Sequence, residues 1–296
     1  MNTVFFTSIN DIRQYVKLNA ALPWESFAPY LGTATDSFTE RYITEDFIDA
    51  HSADATFMTL CRKVLAPLAV YHSADEMSIS IGDSGITVQN DHEKRSPASD
   101  QKIAAAKRSL LQRSNAALSI LLDYVLNHLP EDAWSLPLLK KVEGLAVPSL
   151  EVFERYVSID SDHVTFFALV PMLRTIQNRL ATMIGGDILS DCLMSSDATK
   201  KAIAGKIRAY CVYQCAYLNT SDSTRSERGR SGRTEWSPLI RPLYTDQAET
   251  GNWYHQVADE TLSELRTMID ALDEGSSSDS DTDASIGMRG KHIYML

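Results

Sequence analysis

The chain has 296 residues, a formal net charge of −11 and an apolar fraction of 44%. That length fits two domains or one large one, and the apolar content is sufficient for a core. The acidic balance excludes a protein that coats duplex DNA non-specifically, because neutralising phosphates requires Lys and Arg.

Most apolar residues recur at helical spacing. A short first helix is expected from Ser8, with Asp11 three residues on as a capping-box partner and Ile12, Tyr15 and Val16 as its apolar residues. The next segment opens at Leu22-Pro23 and continues through Trp24, Phe27, Leu31, Phe38 and Tyr42. Pro29 lies inside it and should kink the helix or delay its start. A third stretch, from Asp54 to Glu76, is apolar nearly all round and so belongs at the centre of its domain, with Pro67 as a bending point.

The period then changes from 3.6 to 2. Ile79 and Ile81 alternate with serines, Gly82-Asp83-Ser84-Gly85 forms a turn, and Ile86-Thr87-Val88 alternates back. Residues 77–89 therefore read as a β-hairpin. A polar loop leads to a long helix over 101–129, which at ~1.5 Å per residue spans roughly 40 Å. Residues 130–148, with Pro130, Pro137 and Pro148, read as a connector.

A second cycle then begins. Phe153 to Asp160 align with Ile12 to Asn19 at an offset of 141. At an offset of 142, Trp24, Phe27, Pro29, Leu31 and Phe38 face Phe166, Leu169, Pro171, Leu173 and Leu180. At that same offset Leu65, Ala69, Val70 and Tyr71 meet Ile207, Cys211, Val212 and Tyr213. Near 144, Leu118, Leu121 and Val125 meet Leu262, Leu265 and Ile269. The expected fold is mainly α: two tandem helical-bundle repeats, 1–143 and 149–272, with a small β-hairpin inserted in the first. An Arg-rich loop, 221–242, takes the hairpin's place in the second. The acidic stretch that follows cannot bury apolar area, so 273–296 is expected to be a flexible tail. It closes on a short docking segment, Ile293, Tyr294, Met295 and Leu296, and a linker of about 18 residues reaches roughly 20–25 Å.

Sequence motifs give little chemistry. The four cysteines, Cys61, Cys192, Cys211 and Cys215, form no C-x-x-C pair and no zinc-spaced set with histidine. They read as buried thiols in a reducing compartment, with Cys211 and Cys215 as a redox pair the alternative. Gly82 to Gly85 resembles part of a serine-protease signature, but Ile86-Thr87 breaks it and a turn explains it. Ser99 to Lys102 fits S-x-x-K without the companion motifs, and a helix cap explains it. No phosphate-binding loop or H-E-x-x-H occurs. The expectation is a non-enzyme with no cofactor and no metal. No apolar run is long enough for a membrane span and no signal peptide is visible, so the protein is expected to be made and kept in a cytoplasm.

Arg225, Arg228, Arg230 and Arg233 form the most distinctive cluster. It reads as a solvated loop, as a contact for the acidic tail or a partner protein, or as a phosphate contact. Trp236, Tyr244, Trp253 and Tyr254 follow closely and suggest a packed anchor or an interface.

The motifs at Ile12–Val16, Trp24–Leu31, Leu65–Tyr71, Gly82–Thr87, Arg233–Tyr244 and Gly251–Tyr254 resemble those of an uncharacterised structural family of Bacteroidales phages and prophages. Each half also resembles the helical head–tail connector (adaptor) proteins of tailed phages. The resemblance implies a ring-forming homo-oligomer in the virion neck, in contact with portal and tail or neck proteins. DNA would pass through it without sequence-specific binding. The chain is about twice a usual adaptor's length, which a duplication would explain. The alternative is a mobile-element-encoded helical scaffold or nucleic-acid-binding regulatory module.

Overall fold

The computed structural model describes residues 5–18, 22–76, 79–82, 85–88, 100–226 and 247–278, and the fold is mainly helical. It starts with α1 (Ile9–Arg13), whose cap is the expected capping box. The Ser8 side chain accepts from the Asp11 amide, and the Asp11 carboxylate accepts from the Thr7 and Ser8 amides at 3.0 Å each. Those bonds hold the Asp11 carboxyl below its usual range. Ile12 is fully buried, and Arg113 reaches over from a later helix to donate to the Tyr15 carbonyl at 2.8 Å.

α2 (Trp24–Arg41) begins just after Pro23 and runs through Pro29. The expected delay at Pro29 does not occur, because an exposed proline near a helix start removes only one amide donor. Thr33 donates to the Pro29 carbonyl at 3.3 Å. Phe27, Ala34 and Phe38 form the buried stripe. α3 (Glu45–Ala50) is capped by Thr44 and adds Phe47 and Ile48 to the core.

α4 (Ala55–Glu76) is capped by Asp54, whose Oδ1 accepts from the Thr56 and Phe57 amides at 2.9 and 3.1 Å. Its central residues, Cys61 and Val64 through Ala69, are all buried, as a helix in the middle of a bundle requires. β1 (Ile79–Gly82) and β2 (Gly85–Val88) pair antiparallel, with Ile79 opposite Val88 and Gly82 opposite Gly85. α5 (Asp100–His128) then packs along α4, with Leu118, Leu121 and Val125 buried. Ser114 donates to the Val64 carbonyl at 3.0 Å across this contact.

Residues 130–148 are not a simple connector. α6 (Pro130–Ala133) and α7 (Pro137–Lys140) each start on a proline, whose missing amide costs nothing at a first helical position. Leu136, Leu138, Leu139, Val142, Leu145, Ala146 and Val147 are buried. Gly144 makes the turn with φ 72°, a conformation glycine adopts without strain. Side chains from later helices hold this backbone. Gln177 accepts from the Ala146 amide at 2.6 Å and donates to the Gly144 carbonyl at 2.8 Å, and Arg174 donates to the Lys141 and Glu143 carbonyls.

α8 (Leu150–Glu154) is capped by Ser149. α9 (His163–Ile184) contains Pro171, with Thr175 donating to the Pro171 carbonyl at 3.0 Å. α10 (Gly186–Met194) follows. α11 (Ala198–Ser226) is capped by Asp197, which accepts from the Thr199 and Lys200 amides at 2.9 and 3.0 Å. α12 (Gln247–Ser278) packs along α11, tied to it by the Lys206–Glu264 ion pair. Helical backbone thus covers the start of both segments expected to be irregular, 221–226 and 273–278.

Candidate functional site

α5 packs against α9. Ser119, Leu122, Asp123 and Leu126 are spaced three and four apart, so one stripe of α5 carries all of them. Ser119 spans the junction: its hydroxyl accepts from the His163 amide at 2.8 Å and donates to the Ser161 carbonyl at 3.3 Å. It thereby completes the cap of α9, whose next free amide, Val164, is taken by Asp162 Oδ1 at 3.0 Å.

The turn between α8 and α9 is strained. Asp160 and Ser161 both lie in the left-handed region, with φ 59° and 53°. Glu154 keeps them there. Its Oε1 accepts from the Ile159 and Ser161 amides at 3.1 and 2.7 Å, and its Oε2 accepts from the Ser161 hydroxyl at 3.2 Å. Strained backbone held by such a network clusters at functional sites.

Below this turn lies a cavity of about 490 Å³. α5 contributes Asp123, Leu126 and Asn127, and the 130–148 segment contributes Trp134, Leu139 and Val142. α8 and α9 add Leu150, Glu151, Glu154, His163, Phe166 and Phe167. Trp134 is 62% exposed at this site, which is unusual for so large an apolar side chain. The cavity wall is mostly apolar, its ionisable groups are three carboxylates and one histidine, and it includes no Lys or Arg.

His163 is only 9% exposed. Its Nδ1 has no hydrogen-bond partner among the described residues, and its Nε2 stands 3.6 Å from Asp123 Oδ1. Burial lowers its pKa, and the nearby carboxylates of Asp123, Asp162 and Glu154 offset only part of that. The ring is therefore neutral at pH 7. No cluster of three or more metal-ligating side chains occurs among the described residues.

The residues singled out by sequence lie elsewhere. Arg225 falls on the backbone of α11 near its end. Arg228, Arg230 and Arg233 lie outside the described residues, as do Trp236, Tyr244, Ile293, Tyr294, Met295 and Leu296. Trp253 and Tyr254 sit on α12 and pack against Tyr213 at ring-centroid distances of 6.3 and 6.5 Å. The four thiols are free and buried. Burial pushes the Cys211 thiol up to about 12 and raises Cys61, Cys192 and Cys215 as well, so they are poor nucleophiles. No helix among the described residues is long and apolar enough to cross a membrane.

Sequence reading missed the cavity because its walls come from four separated segments. One signal was available: residues 136–147 contain seven apolar residues that end up buried, far more than a solvated connector needs.

Residues 26–135 match a family of unknown function (DUF6712). The match begins inside α2 and ends just after α6, so it reaches the α5 wall of the cavity and stops before the α8–α9 wall. No curated protein and no solved structure matches the chain.

Proposed function

We propose that the chain is a non-enzymatic structural subunit of a tailed phage, a head–tail connector that assembles as a ring beneath the portal. The observation that carries this reading is the recurrence of one helical unit, which makes the chain two adaptor-like bundles in tandem. Several details support the recurrence beyond the aligned residues. Ser8 and Ser149, 141 apart, each cap a short helix by accepting from the amide three residues on, Asp11 in α1 and Val152 in α8. Pro29 and Pro171, 142 apart, each accept from a threonine four residues on. Asp54 and Asp197, 143 apart, cap α4 and α11 through the amides two and three residues later. Buried positions also pair at 142: Phe38 with Leu180, Cys61 with Ile203, Leu65 with Ile207, and Ala69 with Cys211.

The net charge of −11 suits a channel that lets DNA pass without holding it. Portal and tail or neck proteins are the partners on this reading, and the virion neck is the location. The test is native mass spectrometry and negative-stain microscopy of the purified chain, alone and mixed with a portal protein encoded beside it. Rings or a portal complex are the expected result. A strictly monomeric chain that binds no portal would overturn the proposal.

A helical scaffold or nucleic-acid-binding regulatory module is the second reading. It is favoured by four arginines, Arg225, Arg228, Arg230 and Arg233, gathered within nine residues of an acidic chain. It predicts salt-dependent DNA binding that is lost when all four are changed to Ala. Absence of binding at low salt would remove it.

A further inference from the structure

We infer that the cavity between α5, α8 and α9 receives the segment Ile293, Tyr294, Met295 and Leu296 of a second copy of this chain. The inference rests on the self-association that the connector reading requires, but not on a portal or a phage.

Three observations carry it. The first is chemical fit. A cavity of about 490 Å³ lies in the range that takes a few large side chains, and Leu126, Leu139, Val142, Phe166 and Phe167 give it an apolar wall. Trp134 stands beside it with most of its surface exposed, ready to cover an incoming aliphatic or aromatic group.

The second is charge. The cavity lining has three carboxyl side chains, Asp123, Glu151 and Glu154, and no Lys or Arg. The apolar segment is preceded by Arg289, Lys291 and His292, the only cationic or titratable basic residues after Arg266. The aspartates at 279, 281 and 283 lie farther back, where the same carboxylates would keep them away. The basic residues that precede the segment therefore match the acidic rim, and Ile293 to Met295 match the apolar wall.

The third is reach. α12 packs on α11, and α11 in turn packs on α8 and α9. α11 therefore lies between α12 and the cavity wall, a distance of roughly 16–20 Å from axis to axis. Fifteen residues lead from Ser278 to Ile293, and a coil of that length spans roughly 20 Å. That average span is close to the width of the helices it would have to pass round in its own chain, while the fully extended limit is ~50 Å. A neighbouring copy can present its cavity directly.

The test places p-benzoylphenylalanine at Tyr294 in the full-length chain, mixes isotopically light and heavy copies, and maps photocrosslinks by mass spectrometry. Crosslinks between light and heavy copies, landing on Trp134, Leu150 or Phe167, are expected. Adding Ile293→Asp should reduce them about tenfold, the loss expected on removing one aliphatic anchor. Glu151→Lys, an exposed rim position, should also reduce them while leaving the helical signal unchanged. Crosslinks confined to single copies, or scattered away from the cavity, would overturn the inference. Specific exchange by a chain that neither forms rings nor binds portal would retain it while removing the connector reading.

Discussion

Glu154 holds two left-handed residues in place with one carboxylate, and that makes it the most exacting side chain at the junction. Its three bonds to Ile159 and Ser161 hold backbone that would otherwise relax. Glu154→Ala should lower stability by roughly 2 kcal/mol, since a charged acceptor serving buried or strained amides contributes more than a neutral one. Glu154→Gln keeps an acceptor oxygen and should cost clearly less, and urea unfolding of both variants measures the difference. His163 sets a pH dependence at the same place. Its folded pKa is lowered from 6.5, chiefly by burial, so the unfolded chain takes up a proton at a higher pH than the folded one. Its contribution is therefore fully present above about 6.5, falls as pH drops below that value, and levels off below the folded pKa. Urea midpoints at pH 7.5 and 5.5 should converge in His163→Gln relative to wild type. An unchanged difference would assign the effect to other histidines.

Helix boundaries were the most legible part of the sequence. The apolar stretch over 54–76 is α4 (Ala55–Glu76) and that over 101–129 is α5 (Asp100–His128), because long amphipathic or all-apolar runs carry a strong period. The capping box at Ser8 was readable for the same local reason. α6 and α7 were not, since four residues hold barely one turn of period and their prolines resemble loop signals while serving as helix starts. The candidate cavity was least legible. Nothing local links Asp123, Trp134 and His163, and only the crossing of α5 with α9 joins them. Caps also permit a test that compares elements. Asp54 and Asp197 close α4 and α11 with matching amide bonds, but Asp54 Oδ2 also accepts from the Tyr124 hydroxyl at 2.8 Å. Partial burial works against ionisation of Asp54, yet the Phe57, Tyr124 and Thr56 bonds outweigh it and lower its pKa. Asp54→Ala should therefore lower the melting temperature more than Asp197→Ala, and Tyr124→Phe should recover part of that gap. Equal effects would show that the cross-helix bond contributes nothing.

The face of α5 at the α9 contact differs from the face of α12 that matches it on the proposed duplication, and on that reading the difference limits how copies can associate. The stripe Ser119, Leu122, Asp123 and Leu126 on α5 corresponds, 144 residues on, to Ser263, Arg266, Thr267 and Asp270 on α12, which are all exposed. On the other side of the junction, Phe167 is buried, whereas Glu25 at the matching position of α2 is exposed. On the duplication reading, a third unit could not stack on α12 in the way α9 packs on α5, just as terminal units of repeat arrays carry polar outer faces. On the proposed self-association, contacts between copies would then use other surfaces, such as the segment beyond α12 proposed above. Leu122 is the residue at which this can be measured, because it is 2% exposed and its counterpart is Arg266. Leu122→Arg gives α5 the character of α12 and leaves the α4-facing residues Leu118, Leu121 and Val125 untouched. Calorimetry should show the unfolding transition fall by roughly 5–10 °C or separate into two, as expected for a charge forced into a packed contact. The far-UV helical signal at 20 °C should stay near that of the wild type. Loss of that signal would mean that the helices on neither side of the α5–α9 contact stand without the other, and an unmoved transition would mean that this contact does not couple them.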